Sequence, residues 1–129
     1  MKSQMQPIGQ RVIVIEDERL TYTLLQHLLE RRGFTVELAT DGRQAEEMLK
    51  ELAPPELILL DLMLPYTDGF ELIASMRQQA GWEEVPIIVL TAKAQERDVV
   101  RALDVGANDY VIKPFQPEEL MARVRRFIK

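Results

Sequence analysis

The stretch Leu57-Ile58-Leu59-Leu60-Asp61, followed by Leu62-Met63-Leu64-Pro65, decides the fold because four aliphatic residues run directly into a carboxylate. Prolines bound this stretch on both sides, at Pro54-Pro55 and at Pro65. A short, continuous apolar run is typical of a central parallel strand that is covered on both faces. Asp61 would then lie at the carboxyl end of that strand, where open α/β sheets bind ligands. Asp61 is therefore a candidate functional residue, with simple loop capping as the alternative.

Apolar patterns divide the rest of the chain into alternating strands and helices. Strands are predicted over residues 12–15, 35–39, 85–90 and 109–112 in addition to 57–60. Helices are predicted over residues 20–32, 45–52, 70–79, 99–105 and 117–128. This alternation predicts an α/β fold, a five-stranded parallel sheet of the flavodoxin-like, doubly wound kind. The first helix has its periodic apolar positions at Leu20, Leu24, Leu25, Leu28 and Leu29.

Composition indicates one folded domain. The 129 residues suit a single core, and 47% hydrophobic with 29% charged residues is ordinary for a globular protein. Residues 1–10 are polar and lack the pattern of a signal peptide, so we expect a leader over 1–10 and the domain over 11–129. No apolar run approaches the roughly 20 residues of a membrane span, and a cytoplasmic location is expected. The net charge of −5 does not favour direct nucleic-acid binding, and the absence of Cys excludes disulfide and thiolate chemistry.

Three single residues have structural interpretations. Asp41 precedes Gly42 and is predicted to cap the second helix. Trp82, the only Trp, is predicted to be a packing residue. His27, the only His, has no partner motif and is expected to be a solvated helical residue.

Polar side chains follow four of the predicted strands at their carboxyl ends. Glu16 and Asp17 follow the first strand, Asp61 the third, Thr91 the fourth and Lys113 the last. Because the carboxyl ends of parallel strands share one edge, these side chains are expected to surround one shallow pocket. Each residue alone has an ordinary interpretation as a turn or a solvated strand end. Five of them at matching positions favour a functional site.

The chemistry of this set favours a divalent cation and a phosphoryl group. Three neighbouring carboxylates repel one another, so some of their pKa values should be raised unless a cation enters. Oxygen ligands without nearby His or Cys favour Mg²⁺. Lys113 and Thr91 suit a phosphoryl group attached to Asp61, whose carboxylate would act as the nucleophile and form an acyl phosphate.

With these residues in place, the chain resembles a receiver domain of bacterial two-component response regulators over Arg11 to Lys129. The correspondence is by motif and order. The family's acidic pair falls on Glu16-Asp17, its phosphorylated aspartate on Asp61, its hydroxyl on Thr91, its switch aromatic on Tyr110 and its lysine on Lys113, within Lys113-Pro114-Phe115.

The resemblance implies a ligand set, a phosphoryl donor and a cis peptide bond. Asp17, Asp61 and the backbone carbonyl of Met63 would bind Mg²⁺ directly, and Glu16 would act through water. The donor would be a histidine kinase or a phosphotransfer protein. The domain would catalyse its own phosphorylation and dephosphorylation while serving mainly as a signalling switch. The Lys113-Pro114 bond would be cis.

The sequence departs from the family pattern at several positions. Glu16 stands where Asp is commoner, and this preserves charge while lengthening the side chain. Met63 and Lys93 occupy variable positions that influence dephosphorylation in similar domains, and neither is an evident water-positioning group. Gln116 precedes the last helix where Ser or Asp would cap better, so a weak cap is predicted there.

The resemblance also implies a switch surface formed by the fourth and fifth helices with the last strand. Phosphorylation is expected to draw Thr91 toward the phosphoryl oxygens and to let Tyr110 turn into the vacated space. Similar domains joined to winged-helix effectors dimerise through this surface. Its charged residues here are Arg97, Arg101, Asp104, Asp109, Glu119 and Arg123.

A phosphorylation-dependent homodimer is therefore a predicted partner arrangement. Asp109 with Arg123 is the best candidate ion pair. Val99 stands where an arginine partner for Glu119 would be expected, so the dimer should be weaker than one with a full set of pairs. The alternative is that these mixed charges form an ordinary solvated face.

Two other functions compete with the phosphoacceptor switch. A pseudo-receiver would bind partners without phosphorylation, but Asp61, Thr91 and Lys113 are intact. A haloacid-dehalogenase-like phosphatase also uses an Asp nucleophile with Mg²⁺, but it would require a second acid where Met63 stands. No Walker A motif or dinucleotide glycine fingerprint supports nucleotide binding.

Overall fold

The computed structural model describes residues 10–128, so the predicted leader lies almost entirely outside the described residues, as does Lys129. The helices are α1 (Arg19–Glu30), α2 (Gly42–Glu51), α3 (Gly69–Gln78), α4 (Glu96–Val105) and α5 (Pro117–Phe127). The strands are β1 (Arg11–Ile15), β2 (Thr35–Ala39), β3 (Leu57–Leu60), β4 (Met63–Leu64), β5 (Thr67–Asp68), β6 (Ile87–Thr91) and β7 (Asp109–Ile112).

Five of the strands form one parallel sheet in the order β2-β1-β3-β6-β7. The predicted central position of β3 is confirmed, and all four of its residues are buried. β2 and β7 are the two edge strands. The sequence therefore predicted the fold class correctly, because an uninterrupted aliphatic run requires cover on both faces.

Two apolar layers supply that cover. Ile13, Ile15, Ile58 and Leu60 point toward α2, α3 and α4, with Trp82 buried in the same layer as predicted. The alternating residues face α1 and α5 on the other side of the sheet. Members of this second layer include Val12, Val14, Leu57, Leu59, Leu25, Leu29, Leu120, Met121 and Val124.

A two-stranded hairpin follows Asp61, in a segment that the sequence predicts to be a loop. Met63 pairs with Asp68 and Leu64 with Thr67 in antiparallel register. Tyr66 lies at the turn with a φ of 62° and a fully exposed side chain. Strands of two residues are too short to produce a periodic pattern, so the sequence does not predict this hairpin.

The fourth sheet strand begins later than predicted, at Ile87 instead of Val85. The Val85 amide donates to the carbonyl of Trp82 in a turn. Pro86 has no N–H and cannot donate a hydrogen bond to a neighbouring strand. Helix α4 begins at Glu96, three residues before the predicted start. Both differences lie at element ends.

The first helix buries only some of its regularly spaced leucines. Leu25 and Leu29 are buried, but Leu20 is 81% exposed and Leu24 is 40% exposed. Helical spacing places these leucines on two faces, of which only one meets the sheet. The solvent-facing apolar surface of α1 therefore has no partner among the described residues.

Side chains cap two helices as their sequences require. Asp41 accepts from the Gln44 amide at the start of α2, as predicted, and Asp68 accepts from the Phe70 amide at the start of α3. Gln116 makes no side-chain cap at α5, which confirms the predicted weak start. Within residues 10–128, no helix is long and apolar enough to span a bilayer.

Arg77 ties together the amino ends of the last two sheet strands. Its guanidinium donates to the carbonyls of Trp82, Val85 and Gly106 at 2.7 to 3.1 Å, and to Asn108 Oδ1 at 2.9 Å. All of these acceptors are neutral. Burial lowers the pKa of Arg77. The hydrogen bonds to neutral acceptors satisfy the N–H donors of the guanidinium.

Candidate functional site

The carboxyl edge of the sheet brings the predicted polar residues together. The Asp61 amide donates to the Ile15 carbonyl, and the Lys113 amide donates to the Thr91 carbonyl, so the strand ends are in register. Glu16 is 2% exposed, Asp61 6% and Thr91 0%. Polar side chains are rarely buried without a partner, so their environment must compensate for lost hydration.

Lys113 supplies part of that compensation by bridging two carboxylates. Its ammonium Nζ lies 2.8 Å from Glu16 Oε1 and 2.9 Å from Asp61 Oδ2. The Lys113 side chain is 15% exposed, so these charge-assisted bonds are only weakly screened. The bridge holds two side chains from different strands in one geometry.

Backbone amides fix the remaining oxygens of the same carboxylates. The Met63 amide donates to Asp61 Oδ1 at 2.9 Å, and the Glu18 amide donates to Glu16 Oε2 at 3.0 Å. Asp61 is therefore held at both oxygens, by an amide on one and an ammonium on the other. A side-chain pattern gives no sign of such amide donors, and these contacts were not predicted from the sequence.

The protonation behaviour of Glu16 and Lys113 follows from this environment. Burial raises the pKa of Glu16, and hydrogen bonds from Lys113 and Glu18 only partly offset it. Repulsion from Asp61 also raises that pKa but is a smaller cause, whereas the sequence argument made repulsion the main one. Burial disfavours the charged form of Lys113, yet its hydrogen bonds with Glu16 and Asp61 outweigh this effect and raise its pKa.

Glu16, Asp17 and Asp61 form an acidic group of the size that a metal ion requires. Each can offer one carboxylate oxygen such that the three oxygens lie within 4.8 Å of one another. Glu16 and Asp61 are buried while Asp17 is exposed, so the group opens to solvent on one side. The group has three carboxylates and Lys113 neutralises part of their charge by contacting two of them, so the remaining negative charge and the all-oxygen ligands fit a hard divalent cation.

Thr91 and Tyr110 both contact the backbone of Lys93. The Lys93 amide donates to Thr91 Oγ1 at 3.4 Å, and the Tyr110 hydroxyl donates to the Lys93 carbonyl at 2.8 Å. Tyr110 is partly buried against the apolar layer beneath α4. Burial, with smaller contributions from Asp98 and Asp61, raises the pKa of Tyr110 to about 12. One backbone residue thus links the two side chains that the resemblance assigns to the switch.

The loop after β7 forms one wall of a groove beside the site. The Lys113-Pro114 peptide bond is cis, as the resemblance implies. Pro114 and Phe115 face Thr21 and Leu24 of α1 across a groove of about 400 Å³ that reaches Lys113. An apolar groove therefore leads from the exposed surface of α1 to the charged cluster.

The predicted switch surface carries ion pairs within the chain. Arg123 contacts Asp109 at 3.1 Å and Glu119 at 3.0 Å, and hydrogen bonds with Glu119 and Asp109 raise its pKa. The Asp109–Arg123 pair was proposed as a contact between two copies, but here both partners belong to one molecule. Exposed apolar side chains on the same elements are Val100, Leu103 and Ile112.

Comparison with known proteins agrees with this geometry. The family described as response regulator receiver domain matches residues 12–125. The phosphate regulon transcriptional regulatory protein PhoB of Rhizobium meliloti is 44% identical over 119 residues, covering 92% of this chain and 52% of that protein. The alkaline phosphatase synthesis transcriptional regulatory protein PhoP of Bacillus subtilis is 45% identical over 124 residues, covering 95% and 50%. The chain spans about half the length of these relatives.

Solved structures give the same answer. The chemotaxis response regulator CheY4 of Vibrio cholerae matches with a TM-score of 0.85 and 29% identity, covering 92% of this chain and 98% of that one. The receiver domain of the sensor histidine kinase PA1611 from Pseudomonas aeruginosa, solved with magnesium in its active-site cleft, matches with a TM-score of 0.83 and 36% identity, covering 93% and 98%. The fold, the charged cluster and these matches together show that the chain belongs to the response regulator receiver domain family.

Proposed function

We propose that Asp61 accepts a phosphoryl group from a phosphohistidine of a histidine kinase or phosphotransfer protein, and that the domain is a phosphorylation-driven switch. The observation that carries this proposal is the bridging of Asp61 and Glu16 by Lys113, with a backbone amide on the second oxygen of Asp61. A carboxylate held in one orientation beside a fixed positive charge is suited to in-line attack on phosphorus.

In the proposed transfer, an Asp61 carboxylate oxygen attacks phosphorus and the P–N bond to the donor imidazole breaks. The imidazole leaves with the bonding electron pair and takes up a proton, and Asp61 becomes an acyl phosphate. Lys113 can balance negative charge that develops on the phosphoryl oxygens. Hydrolysis by water then breaks the new P–O bond and restores the carboxylate with release of phosphate.

The acidic group supports Mg²⁺ as the cofactor. Glu16, Asp17 and Asp61 would hold the ion, with the Met63 carbonyl as a further oxygen ligand. When bound, Mg²⁺ supplies charge neutralisation for the phosphoryl oxygens. Magnesium in the active-site cleft of the PA1611 receiver domain supports this assignment.

We propose that the phosphoryl donor docks on the exposed surface of α1. Leu20 and Leu24 lie on this surface, and Leu24 also lines the groove that reaches Lys113. Exposed apolar residues that border a charged site are typical of protein contact surfaces. A helix of the donor could cover these leucines while its phosphohistidine approaches Asp61.

We also propose that the signal leaves through Thr91, Lys93 and Tyr110. A phosphoryl group on Asp61 would accept a strong hydrogen bond from the Thr91 hydroxyl, whose oxygen now accepts only a long one from the Lys93 amide. Movement of Lys93 would then displace its carbonyl, which accepts a hydrogen bond from the Tyr110 hydroxyl. The two-state element is the segment between β6 and α4, whose balance the phosphoryl group shifts.

Dimerisation through α4, β7 and α5 is the output that this surface supports. Val100, Leu103 and Ile112 offer exposed apolar area, and Asp109, Glu119 and Arg123 offer charge. The names of the relatives as transcriptional regulatory proteins support transcriptional control as the output. Because Arg123 is already paired within the chain, an ion pair between copies would require an exchange of partners and would contribute little free energy.

Acetyl phosphate with Mg²⁺ tests the central proposal. Intact-mass measurement should find one added phosphoryl group on the wild type and on Asp41→Asn, a control at a capping carboxylate outside the group of Glu16, Asp17 and Asp61. Asp61→Asn should gain none. An Asp61→Asn protein that is phosphorylated to the wild-type extent would contradict the assignment, and an unmodified wild type would favour the pseudo-receiver alternative.

Sedimentation tests the proposed dimer. Beryllofluoride, which mimics the phosphoryl group, should shift the wild type from monomer toward dimer, while Leu103→Glu should remain monomeric. A monomer at high concentration in both states would exclude this output.

A further inference from the structure

Gly42 lies in unusually close contact with the hairpin that follows Asp61. It is the buried first residue of α2, directly after the capping residue Asp41. A Cβ added at Gly42 would overlap Thr67 Oγ1, Cβ and Cγ2, all closer than 3.0 Å, which real Cβ atoms essentially never show. All three of these nearest atoms belong to the Thr67 side chain.

The backbone conformation does not explain the glycine. The glycines with positive φ in residues 10–128 are Gly33, Gly81 and Gly106, and Gly42 is not among them. Glycine is also a poor helix former, and alanine would be favoured at this position on helix propensity alone. The contact with Thr67 is therefore the reason why a side chain is excluded.

The hairpin connects this contact to the nucleophile. Thr67 pairs with Leu64, and Met63 pairs with Asp68 in the same two-stranded ladder. The Met63 amide in turn donates to Asp61 Oδ1 at 2.9 Å. Displacing Thr67 would therefore displace the strand whose amide orients the Asp61 carboxylate.

Gly69, which directly follows the hairpin, is also closely packed but cannot be tested in the same way. A Cβ at Gly69 would lie 2.7 Å from Leu62 Cα, which is backbone. No side-chain truncation could relieve that overlap. At Gly42, by contrast, a clash can be introduced by substituting the glycine and removed by truncating the Thr67 side chain.

We infer that Gly42 is a positioning residue for phosphoryl acceptance: by lacking a side chain it lets the hairpin seat against α2, so that the Met63 amide holds Asp61 in its reactive orientation. The consequence for the reaction rests on the proposed function of Asp61. The consequence for the position of the Met63 amide does not depend on that function. The amide position and the phosphorylation rate can therefore be measured separately.

The experiment is a double-mutant cycle with Gly42→Ala, Thr67→Gly and the combined variant. Gly42→Ala should shift the Met63 amide signal in a ¹H–¹⁵N spectrum, reduce its protection from hydrogen exchange, and slow phosphorylation by acetyl phosphate roughly tenfold to a hundredfold. In the Thr67→Gly background the same Gly42→Ala change should have almost no effect on either measurement, because the overlapping atoms are gone.

Gly33→Ala is the matched control for lost stability. Gly33 has a φ of 91° and nothing within 4 Å of an added Cβ, so alanine there strains the backbone without a clash. This variant should unfold more easily while its Met63 signal and phosphorylation rate remain those of the wild type.

The outcomes separate the inference from the proposed function. An unchanged Met63 signal in Gly42→Ala overturns the inference, as does an effect of Gly42→Ala that persists in the Thr67→Gly background. A shifted Met63 signal with an unchanged phosphorylation rate overturns the positioning role. A wild type that cannot be phosphorylated overturns the proposed function, while the Met63 signals still decide whether Gly42 seats the hairpin.

Discussion

Two half-buried cations, Lys113 and Arg77, lie at opposite edges of the same sheet and have opposite kinds of partner. Lys113 faces two buried carboxylates at the carboxyl edge, with the exposed Asp17 nearby. Arg77 faces three backbone carbonyls and one amide oxygen at the amino edge. Negative charge is therefore in excess around Lys113, whereas the partners of Arg77 carry no charge.

This difference separates a functional cluster from a structural one. Excess carboxylate charge in a buried place opposes folding, and clusters of this kind are typical of functional sites. A guanidinium that donates to several backbone acceptors serves stability, because buried carbonyls require hydrogen-bond partners. Burial and hydrogen-bond number alone would not distinguish these two sites.

The largest expected effect is the loss of stability in Arg77→Met. Removing the guanidinium leaves the carbonyls of Trp82, Val85 and Gly106 without this donor, and the free energy of unfolding should fall by about 3 kcal/mol. Urea denaturation measures this loss. The phosphorylation rate under conditions in which the variant is folded should stay within about twofold of wild type, because Arg77 does not contact the charged cluster. A stable Arg77→Met protein with impaired phosphorylation would reverse the comparison.

Next in size is the loss of phosphoryl acceptance in Lys113→Met. Without the ammonium, the rate of phosphorylation by acetyl phosphate should fall on the order of 100-fold, since one charge that stabilises the transition state is lost. Arg77→Met is the matched control, because it also removes a half-buried cation on a straight-chain residue. Equal rates in the two variants would show that Lys113 has no special part in the reaction.

A smaller effect, with a defined pH dependence, is expected for Glu16→Gln. Burial raises the pKa of Glu16 above 4.5, so the folded state keeps this proton to higher pH than the unfolded state. The stability contributed by this group falls as pH rises from 4.5 through the folded-state pKa. Without divalent cations, Glu16→Gln should therefore be more stable than wild type at neutral pH.

The pH profile provides the check on that prediction. The stability difference between Glu16→Gln and wild type should shrink as pH falls through the folded-state pKa, and it should vanish below 4.5. Thermal denaturation across this range measures it. A variant that is less stable than wild type at neutral pH would mean that the Lys113 contact outweighs the effect of burial.

The smallest effect is expected at the surface pair of Arg123 with Asp109. Arg123 is 33% exposed, so Asp109→Asn should change the free energy of unfolding by only about 0 to 1 kcal/mol. Denaturation at low and high salt would detect a contribution and show its screening. A loss as large as that of Arg77→Met would place a structural ion pair on the proposed dimer surface.

The sequence predicted those parts of the fold and site that depend on short patterns. The aliphatic run before Asp61 required cover on both faces, and its central place in the sheet followed. Glu16 and Asp17 directly follow a second such run, so the topology alone brought them to Asp61. These inferences needed only strand direction and charge.

Other parts could not be predicted because their partners are backbone atoms or distant residues. Arg77 binds carbonyls up to 29 residues away, and no side-chain pattern marks a carbonyl as an acceptor. The hairpin after Asp61 has strands of only two residues, and Tyr66 at its turn gives no turn signal of the kind that glycine would. The exposure of Leu20 could not be predicted, because helical spacing does not identify which face meets the sheet.

Chemical mapping of the phosphoryl group tests the central claim most directly. Borohydride reduces an aspartyl phosphate to homoserine, which peptide mass spectrometry can locate after treatment of the wild type with acetyl phosphate and Mg²⁺. We predict conversion to homoserine at position 61 alone, with Asp17 unmodified. The Lys113→Met variant should be phosphorylated far more slowly and should therefore show much less conversion at position 61. Conversion at Asp17, or phosphorylation of the protein without conversion at position 61, would contradict the assignment of Asp61 as the phosphoryl acceptor.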